Sequence, residues 1–287
     1  MSTFITRRDA LAAMAAGVVA PAYADSRTEA LTVVVMDPLA AQLSCPCVKG
    51  YAQRDYEKLA AAMSKDLGRP VKVFFAESLT DAIKKKTAGK ADVIIGKESV
   101  VWAEAKANKI VVQPVASLTG KDGKTTMTGL FVVAAGDAAL SPTDLKGYRF
   151  IFGSPMCDEK FKAAHEVLMD ARVALPDKLE SCGSCSEGAI AVIEAFKSGA
   201  KTTTIISSYA QPLLEGCGTI KKEDLRVVGE TAPVPFIVAF VSDGVPADER
   251  EAIQKSLLKV GKDKDLCTAI ETKAGFVLPT AEAGKKK

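Results

Sequence analysis

Of the seven cysteines in the chain, five stand where their spacing could do chemistry. Cys45 and Cys47 are one residue apart in LSCPCVKGY, Cys182 and Cys185 are two residues apart in SCGSCSE, and Cys157 follows GSPM. Together they could supply a thiolate set for zinc, copper(I) or an iron–sulfur centre, ions that favour soft ligands. A Cys-x-x-Cys pair at a helix start can also carry a lowered pKa and redox activity. In an oxidising compartment the alternative is disulfide bonding. A Cys182–Cys185 bridge is feasible, whereas a Cys45–Cys47 bridge is strained. Seven thiols leave at least one unpaired, and Cys267, the farthest along the chain, is the natural odd one; Cys217 lies apart in LEGCGT. Spacing alone leaves both chemistries open.

Other constellations are thin. His165 is the single histidine, which excludes a His-rich metal site, and it stands on an amphipathic helical stretch with no nucleophile elbow nearby. The chain has no phosphate-binding glycine loop and no dinucleotide fingerprint. With 38 Lys and Arg against 35 Asp and Glu, the 287 residues offer no basic field for nucleic acid. The first 24 residues read as an export signal of the twin-arginine type: Arg7 and Arg8 precede a weakly apolar run that ends in Ala22-Tyr23-Ala24, a small-x-small cleavage pattern. The mature chain then starts near Asp25, its address is the periplasm, and no later run of about 18 apolar residues provides a membrane span.

Short apolar runs alternate with helical stretches, the order of a layered α/β protein. LTVVVM, VKVFFA and ADVIIG read as strands separated by helices at Arg54–Leu67 and in SLTDAIKKK, where Ser78 or Thr80 can cap. Right-handed crossovers make such strands parallel and bring their C-terminal ends to one edge. A second set follows in TGLFVVAAG, YRFIFG, a helix from about Asp158 to Arg172, a short strand entering LESCGS, the helix Glu187–Gly199 and TTTIIS. The chain returns through VPFIVAFVS to a closing helix near Asp248. This order fits two α/β lobes, each a mostly parallel sheet flanked by helices, hinged by two extended crossings. The division places 25–129 and 236–287 in lobe 1 and 130–235 in lobe 2.

The stretches AESLTDAI, GKADVIIG, DLKGYRFIFGSP and LRVVGETAPVP, in that order, resemble the periplasmic solute-binding proteins of phosphate, phosphite and phosphonate ABC importers, a branch of the type II periplasmic binding fold. The resemblance implies a non-enzymatic, monomeric clamp that closes on a small solute and delivers it to a membrane permease or reports it to a membrane sensor. Ligands of open α/β sheets sit outside the carboxyl ends of strands, and helix N-termini favour anions there.

By that rule the candidate ligand residues are Tyr51 after the first strand, Lys97 and Ser99 after the third, Ser154 and Cys157 after YRFIFG, Ser184 and Cys185 before the next helix, and Ser207 after TTTIIS. The candidate metal set is Cys45, Cys47, Cys157, Cys182 and Cys185, all on the same expected edge. Where the related proteins carry Ser and Thr hydroxyls and a Ser-x-His, this chain has MCDE and CGSC, which sets Asp158 and Glu159 near an anionic ligand. Two functions follow: capture of an oxyanion or a thiophilic solute, or metal and thiol-redox chemistry on the same fold.

Overall fold

The structure is a computed structural model, and it describes residues 29–44 and 52–279. The leader, Cys45, Cys47 and Tyr51 lie outside the described residues.

In β1 (Leu31–Met36) all side chains are buried, because both faces of its sheet are covered and a continuous apolar run serves both. It is followed by α1 (Tyr56–Leu67), β2 (Val71–Phe75), α2 (Leu79–Lys85) and β3 (Val93–Lys97), and β1 lies parallel to both β2 and β3. The helix boundaries have local causes. Asp55 accepts the Lys58 N–H at the start of α1, Gly68 ends it at φ 67°, and Ser78 accepts the Asp81 N–H at the start of α2. Each such N-cap contributes on the order of 1 kcal/mol, and only glycine adopts the left-handed stop without strain.

Next come α3 (Glu98–Ala107), β4 (Val112–Leu118), β5 (Thr126–Met127), β6 (Gly129–Ala134), β7 (Arg149–Phe152), α4 (Lys162–Asp170), β8 (Glu180–Ser181), α5 (Cys185–Lys197), β9 (Thr202–Ser207), α6 (Ala210–Gly216) and β10 (Leu225–Glu230). The chain then runs through β11 (Val234–Pro235), β12 (Ile237–Ser242), α7 (Ala247–Lys259), α8 (Lys264–Ala269) and β13 (Phe276–Val277). One sheet has the order β13-β4-β12-β3-β1-β2 and the other β10-β6-β9-β7-β8. Two lobes result, each with an apolar cluster on both faces of its sheet.

The crossings pair with each other as β5 and β11, antiparallel, Met127 opposite Val234 and Thr126 opposite Pro235. They enter the lobes at the edge where the parallel strands end. For that reason β12 runs antiparallel to β3, starting with Ile237 opposite Lys97, and β6 runs antiparallel to β9, starting with Gly129 opposite Ser207. These returning strands add antiparallel pairs to the parallel sets expected from the sequence.

A buried clip holds the segment after β1. Asp37 accepts the Leu39 N–H at 2.9 Å, Arg54 Nη1 at 2.7 Å and Tyr56 Oη at 2.6 Å. Ala41 N–H donates to the Arg54 carbonyl and Arg54 N–H to that of Leu39. Arg54 is 3% exposed and also lies over the Phe236 ring.

Candidate functional site

Three chain segments converge where the lobes meet. β3 delivers Lys97 from the first lobe, and β9 delivers Ser207 from the second. The third is the turn after β7, residues 153–160, which forms a single 3-10 turn at Asp158–Lys160 and brings in Glu159. This turn is seated without slack. A Cβ at Gly129 would run into the Glu159 carbonyl, and one at Gly153 into the Lys160 side chain. Glycine is thus required at both positions by close approach.

Lys97 Nζ donates to Glu159 Oε1 at 2.6 Å and to Ser207 Oγ at 3.2 Å, and Ser207 Oγ donates to the same carboxylate oxygen at 2.8 Å. Lys97 also lies over the Tyr209 ring, 5.4 Å from its centroid. Lys160 Nζ approaches Cys185 Sγ at 3.9 Å, and that sulfur accepts the Ser207 N–H at 3.4 Å. Lys97, Glu159, Lys160 and Ser207 are all buried.

Burial alone would lower the Lys97 ammonium, but the Tyr209 hydroxyl, the Glu159 carboxylate and the Cys157 and Cys185 sulfurs outweigh it and hold it well above the usual lysine range. For Glu159, burial favours the neutral acid, yet Lys97, Lys160 and the Ser207 bond outweigh burial and keep the carboxyl below its usual range. Burial likewise opposes the charge on Lys160, and Cys185, Cys157 and Glu159 more than restore it against the repulsion of Lys97. Burial pushes the Cys157 thiol up, against the pull of Lys97. Among the described residues the cluster thus keeps the Lys97 and Lys160 ammonium groups and the Glu159 carboxylate charged in a buried setting.

A second seam lies alongside. Ser99 Oγ, at the start of α3, donates to the Met156 carbonyl at 2.7 Å and accepts the Asp158 N–H at 3.3 Å. On the other side of Tyr209 a cleft of about 430 Å³ opens between the lobes, lined by Arg54, Lys124, Met127, Ser208, Tyr209 and Phe236 among others.

Of the residues singled out from the sequence, Lys97, Ser207, Cys157 and Cys185 come together and Ser99 bridges the lobes beside them. Two have local structural uses. Ser154 Oγ accepts the Met156 N–H at 3.3 Å within its turn, and Ser184 is the N-cap of α5, accepting the Glu187 N–H at 3.1 Å. Of the candidate metal set, Cys45 and Cys47 lie outside the described residues, and among the described residues no group of three or more His, Cys, Asp or Glu is placed to hold a metal. Cys157, Cys182, Cys185, Cys217 and Cys267 are all free thiols, so the short Cys182–Cys185 bridge is not formed. Cys182 Sγ turns inward to the Phe152 carbonyl at 3.4 Å, because Cys182 extends the β8 side of the sheet while Cys185 already belongs to α5. His165 stacks on Phe152, and Trp102 packs edge-on against Phe240.

Lys160 and the clip of Asp37, Arg54 and Tyr56 were missed. Nothing in the local pattern around Lys160 distinguishes it from a surface lysine, and the clip joins residues up to 19 positions apart.

Comparison with known proteins gives a consistent picture. Residues 50–283 match the family described as ABC transporter, phosphonate, periplasmic substrate-binding protein. No curated protein matches the sequence. Among solved structures, PhnD1 from Prochlorococcus marinus in complex with methylphosphonate is similar at a TM-score of 0.65 and 15% identity, covering 89% of this chain and 94% of that one. A binding protein component of an ABC phosphonate transporter from Pseudomonas aeruginosa gives 0.64 and 14%, over 89% and 83%. A Xanthomonas citri protein bound to chloride ion gives 0.64 and 16%, over 88% and 93%. At these identities the likeness is one of fold.

Proposed function

The chain belongs to the periplasmic substrate-binding proteins of phosphonate ABC transporters, and from that premise we propose that its solute is a small oxyanion gripped between Lys97 of the first lobe and Lys160 and Ser207 of the second. As a member of this family it is a binding component rather than an enzyme, and its partner is an ABC permease. The observation that carries the choice of solute is the meeting of two buried ammonium groups, Lys97 and Lys160, with the Ser207 hydroxyl at the lobe boundary. A tetrahedral dianion such as phosphate or a phosphonate matches two ammoniums and accepts hydrogen bonds from a hydroxyl as well. Ser99 stands at the start of the ten-residue helix α3, where backbone N–H groups add further donors.

A thiophilic solute is the second reading, favoured by Cys157 and Cys185 standing beside the same ammonium groups.

Thermal unfolding of the mature protein with phosphate, phosphite, methylphosphonate or arsenite separates the two. A ligand at about 100 times its Kd should stabilise the fold by roughly 2.7 kcal/mol. Lys97→Gln should remove the response to the phosphorus oxyanions. A response to arsenite alone would favour the thiol reading, and no response to any of the four would sink solute capture in this form.

A further inference from the structure

We infer that Glu159 is a tethered stand-in for the solute: its carboxylate occupies the anion position between the lobes and closes the clamp without cargo, so that an incoming oxyanion must displace it. The inference rests on the anion-capture reading for its account of displacement, but the closed clamp stands on the geometry alone.

The carboxylate engages both lobes through one oxygen. Glu159 Oε1 accepts Lys97 Nζ from the first lobe and Ser207 Oγ from the second, and the Glu159 side chain is 2% exposed. Because Glu159 belongs to the second lobe, the Lys97 bond is an ion pair across the cleft. Its neighbours seal the same boundary: the Tyr209 ring covers Lys97 and stacks on Phe236 at 5.3 Å, and Ser99 bonds the Met156–Asp158 turn from the opposite lobe. The turn that presents Glu159 is fixed by the two glycine contacts at Gly129 and Gly153, so the carboxylate is aimed by its backbone.

The energetic argument follows from removing the charge. A closed clamp without the Glu159 carboxylate would bury the Lys97 ammonium without its ion-pair partner, and an unpaired buried charge strongly disfavours the state that contains it. That state then escapes by opening, which hydrates the ammoniums, or by taking an anion from solution. In the native chain Glu159 supplies the anion itself. Solute binds only the fraction of molecules in which the tether is released, and its apparent affinity falls by that fraction.

The test uses the full mature chain and two variants, Glu159→Gln, which keeps the shape and a hydrogen-bonding oxygen, and Glu159→Ala, which removes both. Small-angle scattering without ligand should give a smaller radius of gyration for the native chain than for either variant, and methylphosphonate should return the variants to the native value. Calorimetric titration with methylphosphonate should show both variants binding more tightly than the native chain, by about ten-fold or more if the released form is a minor population. Equal scattering of all three ligand-free proteins would overturn the inference, as would unchanged or weaker binding by both variants. If no protein binds an oxyanion while the scattering difference persists, the choice of solute fails and the tether stands.

Discussion

Glu159 faces Lys97, Lys160, Ser207, Cys157 and Tyr209, and its ionisation ties lobe closure to pH. Its carboxyl titrates below the usual range in the folded protein, so the stability it provides is fully present above the unfolded value. That stability is lost as pH falls through the lower folded value, from about pH 4 downward. The Lys97 ammonium shifts the other way, and its contribution persists at every pH below the usual lysine range and disappears only at more alkaline values. Denaturant unfolding followed between neutral pH and pH 3 should therefore show a steeper acid loss for the native chain than for Glu159→Gln; parallel curves would remove Glu159 from the account. That Lys97, Ser207, Cys157 and Cys185 meet at one place was legible, because they follow strand ends that the fold brings to one edge. The function of Glu159 was not, since its partner Lys97 lies 62 positions upstream in the other lobe and Glu159 read from sequence only as an obstacle to an anion.

Among the elements, α5 shows how a cap decides both a boundary and a residue's task. The apolar pattern suggested a start at Glu187, but Ser184 accepts the Glu187 N–H and Glu187 reaches back to the Gly183 N–H, so the helix begins at Cys185. Ser184→Ala should cost on the order of 1 kcal/mol in equilibrium unfolding and leave methylphosphonate affinity unchanged. A loss of affinity would return Ser184 to the ligand shell. The parallel core strands and α1, α2 and α7 were readable from apolar periodicity and punctuation. β4 was not, since Pro114 interrupts it, and neither were α3 and α6, which start directly after strand ends with no side-chain cap to announce them.

For the molecule as a whole, the two-lobed order was legible because β-α-β alternation breaks where the crossings intervene; the joining of the crossings as β5 and β11 was not, as each is only two residues long. Sulfur chemistry was the least legible feature, because the fold decides which thiols can meet. An exported chain passes through an oxidising compartment, yet the described cysteines are all unbonded, and Cys182 turns inward. Alkylation of the denatured, unreduced protein should modify Cys157, Cys182, Cys185, Cys217 and Cys267 in full, as read by peptide mass spectrometry. A bridged peptide joining any two of them would overturn that assignment.

The clip formed by Asp37, Arg54 and Tyr56 has a bearing on how such proteins diversify. Because it fastens both borders of the segment that leaves β1, the sheet is anchored independently of the number of residues between those borders. Lengthening a closed loop adds little entropy cost, roughly 0.6 kcal/mol for each doubling. New recognition chemistry can therefore be spliced in between those borders without reopening the sheet beneath.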